Sequence, residues 1–105
     1  MIRIKYNRDD GRHFLTVTGH AGYAEYGQDI VCAGVSAVSF ALLAFLEQEG
    51  VRFDTAEAVS GALDVACMGS DRVDAAFDMA LAGYNLIADN YPDCVDLDID
   101  AGAAG

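Results

Sequence analysis

Cysteine is scarce in this chain: three thiols in 105 residues, at positions 32, 67 and 94. The odd count, the wide spacing and the lack of a CxxC pair argue against a disulfide framework and against a zinc site. They also argue against a thiol redox enzyme, because no resolving cysteine sits near Cys32 in sequence. Basic residues are few as well, six against seventeen acidic ones, for a net charge of −11. That balance excludes direct nucleic-acid binding as an expectation, since phosphates would be repelled, and favours a basic partner. On composition alone the acidity reads equally well as solubility. No long apolar run has the character of a membrane span. Its nearest approach, Ile30 to Leu46, is diluted by Cys, Gly and Ser, has caps at both ends, and is read as a buried helix. The first residues alternate apolar with basic and hold no apolar core, so no secretory signal is expected and a reducing cytoplasm is the expected home.

What is present is an apolar-rich chain long enough to bury one core. Ile2, Ile4 and Tyr6 alternate with Arg3, Lys5 and Asn7, and Leu15 and Val17 alternate with Phe14, Thr16 and Thr18. Strands are therefore predicted over 2–6 and 12–18, with Asn7 to Gly11 as the turn of a hairpin. His13 falls beside that turn and is expected at the surface. Glycines 19, 22 and 27 make the next stretch a hinged loop.

Asp29 then offers an N-cap, and Val31, Val35, Val38, Leu42, Phe45 and Leu46 form a helical stripe that Gly50 closes. The opposite side of this helix (Ala33, Gly34, Ala37, Ala41, Ala44) is small rather than charged, which predicts burial on more than one side, between the sheet and either a second helix or a partner chain. Alternation around Val51 to Phe53 and over Ala62 to Cys67 suggests two more strands joined through Ser60-Gly61. Ser70 or Asp71 caps a second helix reaching about Tyr91, where Pro92 stops it. Val95 to Asp100 alternates strictly as a strand with an acidic outer face, a candidate neighbour for Arg3 and Lys5. The order β-β-α-(β-β)-α-β defines an α+β fold, a small antiparallel or mixed sheet with two helices packed on it. One domain is expected over 1–100, with a disordered tail at 101–105.

The chemistry concentrates where a histidine ends a strand and a cysteine starts a helix. With Asp29 as N-cap, Cys32 stands at N3, where unpaired amides and the positive end of the helix dipole favour a thiolate. Cysteines at helix N-termini or beside a protonated histidine reach pKa values of roughly 3.5–7.5. A nearby imidazole both holds such a thiolate and protonates a leaving amine, and the same amides suit an oxyanion. Against this stands packing: a buried cysteine is commonly just a small hydrophobe. Cys67 and Cys94 have no such histidine and are read as structural.

The stretch from Gly19 to Ser36 decides the matter: Gly19-His20-Ala21, a short loop, then Gly27-Gln28-Asp29-Ile30-Val31-Cys32 and Val35-Ser36. It resembles the signature of the ribosomal-processing cysteine protease (Prp) family, in which GHA precedes G-x-D-I-V-C and a V-S on the helix. The resemblance implies a homodimeric cysteine endopeptidase, without metal or cofactor. Its substrate would be a basic precursor, large-subunit ribosomal protein number twenty-seven, cut after an aromatic pair to remove an N-terminal extension. Carried over, Cys32 matches the nucleophile and His20 the base. Asp29 either orients the site or caps the helix, and Ser36 lines the site. Gly22, Tyr23, Ala24, Glu25, Tyr26 and Gly27 match a loop that moves when substrate binds. Gly34 departs from the family's usual residue, costing helix stability while keeping space open. The competing reading is a non-enzymatic dimeric ribosome-associated domain in which Cys32 merely packs.

Overall fold

The computed structural model describes residues 1–22, 24–25, 29–59 and 61–100. The tail expected at 101–105 lies outside them, as do Tyr23, Tyr26 and Gly27 of the loop. The elements run β1 (Ile2–Asp9), β2 (Arg12–Thr18), α1 (Ile30–Gln48), β3 (Phe53–Val59), β4 (Ala62–Met68), α2 (Asp71–Asn90) and β5 (Val95–Asp100). The strands form one mixed sheet in the order β3-β4-β2-β1-β5, antiparallel throughout except for β5, which lies parallel to β1. The α+β expectation is met.

The first hairpin is tighter than expected. Asn7, Arg8 and Asp9 continue β1 and pair with Phe14, His13 and Arg12. Only Asp10 (φ 51°) and Gly11 (φ 78°) turn, both left-handed, as a two-residue loop matched to strand twist requires. The second hairpin also exceeds the expectation, with β3 reaching from Phe53 to Val59. The charge pairing foreseen across the sheet is present: Arg3 stands beside Asp96 and Lys5 beside Asp98 on the solvent face. On the other face Ile2, Ile4, Leu15, Val17, Leu63, Val65 and Val95 join Val31, Val35, Leu42 and Leu46 of α1 and Val73, Phe77 and Tyr84 of α2 in one core.

Both helices stop and start as the sequence foretold. Ser70 caps α2, accepting from Val73 N–H. Gly50 (φ 71°) follows α1, with its N–H on Glu47 O and the Val51 N–H on Leu46 O, a Schellman closure. The helices approach closely because Gly34 faces Ile87 and Gly83 faces Val38. A Cβ at Gly34 would sit 3.4 Å from Ile87 Cδ1, so the space kept open there is about one methyl group. By length and composition α1 would suffice to cross a bilayer, yet Val31, Val35, Leu42 and Leu46 are buried in the core. Its small-residue side is not the side that the second helix covers. Ala33, Ala37, Ala41 and Ala44 are exposed, because α2 covers only one flank of α1.

His13 is the clearest correction: it is 1% exposed rather than a surface side chain. The alternation that buries Leu15 and Val17 buries residue 13 too, and three groups make this tolerable. Tyr6 Oη lies 2.6 Å from Nδ1, Asp74 Oδ1 lies 2.7 Å from Nε2, and Phe77 stacks on the ring at 4.1 Å. Arg8 completes the cluster with a 2.7 Å ion pair to Asp74. Burial raises the Tyr6 phenol to about 12, leaving it a proton donor at all ordinary pH. Burial also works to raise the Asp74 carboxyl, but the His13 bond and the Arg8 charge outweigh it and hold that carboxyl below the usual range.

Because the folded carboxyl titrates below its ordinary value of 3.8, its contribution is complete above that value and is lost as pH falls through the lower one. Replacing Asp74 by Asn should therefore cost about 1–2 kcal/mol at neutral pH, since the half-buried carboxylate loses its charge against His13 and Arg8. The variant should also show a shallower loss of stability than the parent on acidification below about pH 4, read by urea titration at several pH values.

Candidate active site

Three backbone features bring the end of β2 to the start of α1. Gly19 (φ 92°) donates its N–H to Gly61 O at 3.0 Å, tying the exit of β2 to the β3–β4 turn. No other residue fits there, since a Cβ would lie 2.3 Å from Met1 O. The His20 ring then rests over Gly61, where a Cβ would be 2.9 Å from Nε2. Finally the Ala21 N–H donates to Cys32 Sγ at 3.2 Å. The residue after the histidine is thus bonded to the cysteine sulfur, and a donor aimed at sulfur stabilises negative charge there.

Asp29 is buried and caps α1. Its Oδ1 accepts from the Val31 N–H at 3.0 Å and the Cys32 N–H at 2.9 Å, while Oδ2 accepts from Ala24 N–H at 3.4 Å. One carboxylate therefore fixes the first turn of the helix and holds the preceding loop. The Ala33 N–H goes to Asp29 O. This corrects one expectation: the amides of Val31, Cys32 and Ala33 are already occupied and are not free to receive an oxyanion.

His20, Cys32, Asp29 and Ser36 all line one cavity of about 810 Å³. Gly22 and Ala24 line it too, whereas Glu25 is exposed and not part of the wall. Gly22 (φ 69°) has open space where a Cβ would point. Cys67 and Cys94 lie away from the cavity. Cys67 is fully buried in β4, and burial, then the Asp54 carboxylate, push its thiol up, which makes it inert. Among the described residues no cluster of three or more His, Cys, Asp or Glu has metal-binding geometry.

Sequence reasoning missed several wall residues. Ser39 continues the Cys32–Ser36 row along α1; it is buried, donates to Val35 O at 2.7 Å and lies 2.6 Å from Tyr84 Oη. Helical spacing from Cys32 was the available signal. Phe40, Ala58, Val59 and Gly61 also face the cavity. The last three depend on strand register, which local pattern does not supply.

A cysteine at a helix N-terminus thus has a backbone donor on its sulfur and a histidine on the same cavity wall, the residue types that a thiol hydrolase uses. The comparisons narrow the class. The family model for cysteine protease Prp matches residues 1–96. The ribosomal processing cysteine protease Prp of Mycoplasma genitalium is 32% identical over 92 residues, covering 88% of this chain and 89% of that one. Its counterpart in Bacillus subtilis is 54% identical over 37 residues, 35% of this chain and 33% of that one. The crystal structure of the essential ribosomal processing protease Prp from S. aureus, bound to a covalently linked product peptide, superposes with a TM-score of 0.84. The identity there is 26%, with 95% of this chain and all of that one covered. The chain belongs to the Prp family of ribosomal-processing cysteine proteases and is a cysteine endopeptidase.

The cap role of Asp29 is separable from any charge effect. Asp29→Ala should lower stability by about 1–2 kcal/mol, while Asp29→Asn, still able to accept from the same amides, should retain most of it. Chemical denaturation of both variants checks this.

Proposed function

We propose that this endopeptidase removes the N-terminal extension of large-subunit ribosomal protein number twenty-seven, with Cys32 as nucleophile and His20 as general base. The observation that carries the reading is the Ala21 N–H bond to Cys32 Sγ beside His20 at the cavity wall. His20 takes the thiol proton, and the sulfur attacks the scissile carbonyl to form a tetrahedral adduct. Collapse breaks the C–N bond as His20 returns the proton to the leaving amine, and water then hydrolyses the thioester. Asp29 acts first as the cap that fixes the Cys32 backbone, and Ser36 lines the path of the substrate.

The acidic chain suits a basic ribosomal precursor through long-range attraction. A peptide substrate is further supported by the S. aureus relative, solved with substrate and product peptides. The loop from Gly22 to Gly27 would close on the bound chain, with Gly22 as one hinge. The enzyme would work in the cytoplasm, where its three unpaired thiols stay reduced, without metal or cofactor. It would act as a homodimer, with the exposed small-residue side of α1 and its Phe40 as contact surface.

Cys32 should react with iodoacetamide at neutral pH at least about tenfold faster than Cys67 or Cys94, as reactive and structural thiols differ. Cys32→Ala should abolish cleavage of a precursor peptide carrying the extension while leaving the fold intact by circular dichroism. Equal, slow labelling of all three thiols, together with no cleavage by the parent, would return Cys32 to a packing role in a non-enzymatic ribosome-associated domain.

A further inference from the structure

The cavity has one neighbour that the chemistry leaves unused. Among the described residues β3 is the edge strand of the sheet and pairs only with β4, and from Ala56 to Val59 its residues are all exposed. Its last two residues, Ala58 and Val59, line the same cavity as Cys32 and His20. An endopeptidase substrate must pass through that cavity as an extended chain, and an extended chain leaving it on this side runs beside a strand with a free edge.

We propose that β3 binds the substrate by strand addition, with the outward-facing backbone groups of Ala56 and Ala58 pairing with the substrate main chain. This inference rests on Cys32 and His20 being the reactive pair. Register identifies the available groups. The Gly19 N–H on Gly61 O shows that Gly61, and by alternation Leu63 and Val65, turn their backbone groups to β2, so Ala62 turns its own to β3 and forms a bonded pair with Val59. Alternation then makes Ala58–Leu63 a non-bonded pair, Glu57–Asp64 a bonded one and Ala56–Val65 non-bonded. Residues of non-bonded pairs direct N–H and C=O away from their partner strand, so those of Ala56 and Ala58 point at the free edge. Both side chains are methyl groups, which leave room for an added strand.

Charge selects the occupant. An edge this open invites a second copy of itself, but Glu57 stands directly opposite Asp64, and among the described residues neither has an ion-pair partner. Edge-to-edge pairing of two such strands would bring four carboxylates together, whereas a basic precursor segment meets attraction. Strand addition takes affinity from main-chain bonds and is tolerant of side chains, which suits an enzyme that reads only a short sequence at the cut.

Ala56→Pro tests this directly. Ala56 does not line the cavity, its N–H is not used in the β4 ladder, and proline is tolerated on an edge strand where the N–H faces solvent. The variant should keep its melting temperature and the parent rate of Cys32 alkylation by iodoacetamide. It should lose about tenfold in kcat/KM on a peptide spanning the extension and the start of the mature ribosomal protein, as removal of a paired main-chain bond implies. Single backbone N-methylation along that peptide, assayed on the parent enzyme, should reduce cleavage at alternate positions on one side of the cut. Cleavage of the long peptide by Ala56→Pro at the parent rate, or N-methyl effects without a period of two, would overturn strand addition and leave the protease reading intact. Failure of the parent to cleave the peptide, with slow Cys32 alkylation, would instead remove the reading on which the inference rests.

Discussion

The Asp29 carboxylate is the constraint on which the site depends. A helix start leaves its first amides without partners, and here one buried side chain meets those of Val31 and Cys32 together while reaching back to Ala24. The backbone of the cysteine is thereby bonded to the residue that ends the loop. With its amide committed, Cys32 has its sulfur as the group left to the cavity, and the Ala21 N–H meets it there. The capping bonds also occupy the first amides of the helix, so the cap that fixes the Cys32 backbone divides the labour of the site. Asp29 orders the helix, and the histidine loop addresses the sulfur.

That division requires a sheet that does not shift beneath it. The β2–β4 ladder is closed at each end by a backbone bond between two glycines, Gly19 to Gly61 at one end and Gly69 to Gly11 at the other. Glycine is forced at both. A Cβ at Gly19 would strike Met1 O, and one at Gly69 would lie 2.3 Å from Asp74 Oδ1 and 2.8 Å from Gly11 O. The first closure carries His20 over Gly61; the second leaves space for the His13–Asp74 pair. The two histidines of the chain therefore sit at opposite ends of β2 in opposite environments. One is exposed on a cavity, and the other is sealed between Tyr6, Asp74 and Phe77.

Much of this was legible in the sequence because it is local. Both helices, their caps at Asp29, Ser70 and Gly50, the strict alternation of β1 and β5 and the charge match between them follow from periodicity and turn chemistry. The His20–Cys32 block was legible because the family signature is dense there. What was not legible concerns partners far along the chain. His13 beside a turn reads as surface until Asp74, 61 positions away, is seen to bond it. The small side of α1 is not covered by α2, and composition cannot say which flank the second helix takes. Gly61 is the turn residue that the sequence suggests, and strand register adds what local pattern could not, that the His20 ring rests over it.

The same non-local logic explains why an apolar fold tolerates so much negative charge. Most acidic residues stand on exposed positions of β5, α2 and the β3–β4 hairpin, where water screens them. The two exceptions with the most structural consequence are Asp29, buried, and Asp74, half-buried; both are engaged, one by amides and the other by His13 and Arg8. Burying a carboxylate is costly unless such donors replace water, so each acid engaged in this way marks a place where the chain must hold a fixed geometry. At Asp74 that geometry is the far end of the sheet; at Asp29 it is the sulfur of Cys32. The far end of the sheet and the wall of the cavity are therefore held by the same device at two ends of one molecule. The surplus of surface acid between them leaves the chain strongly negative, a field that attracts positive charge at a distance.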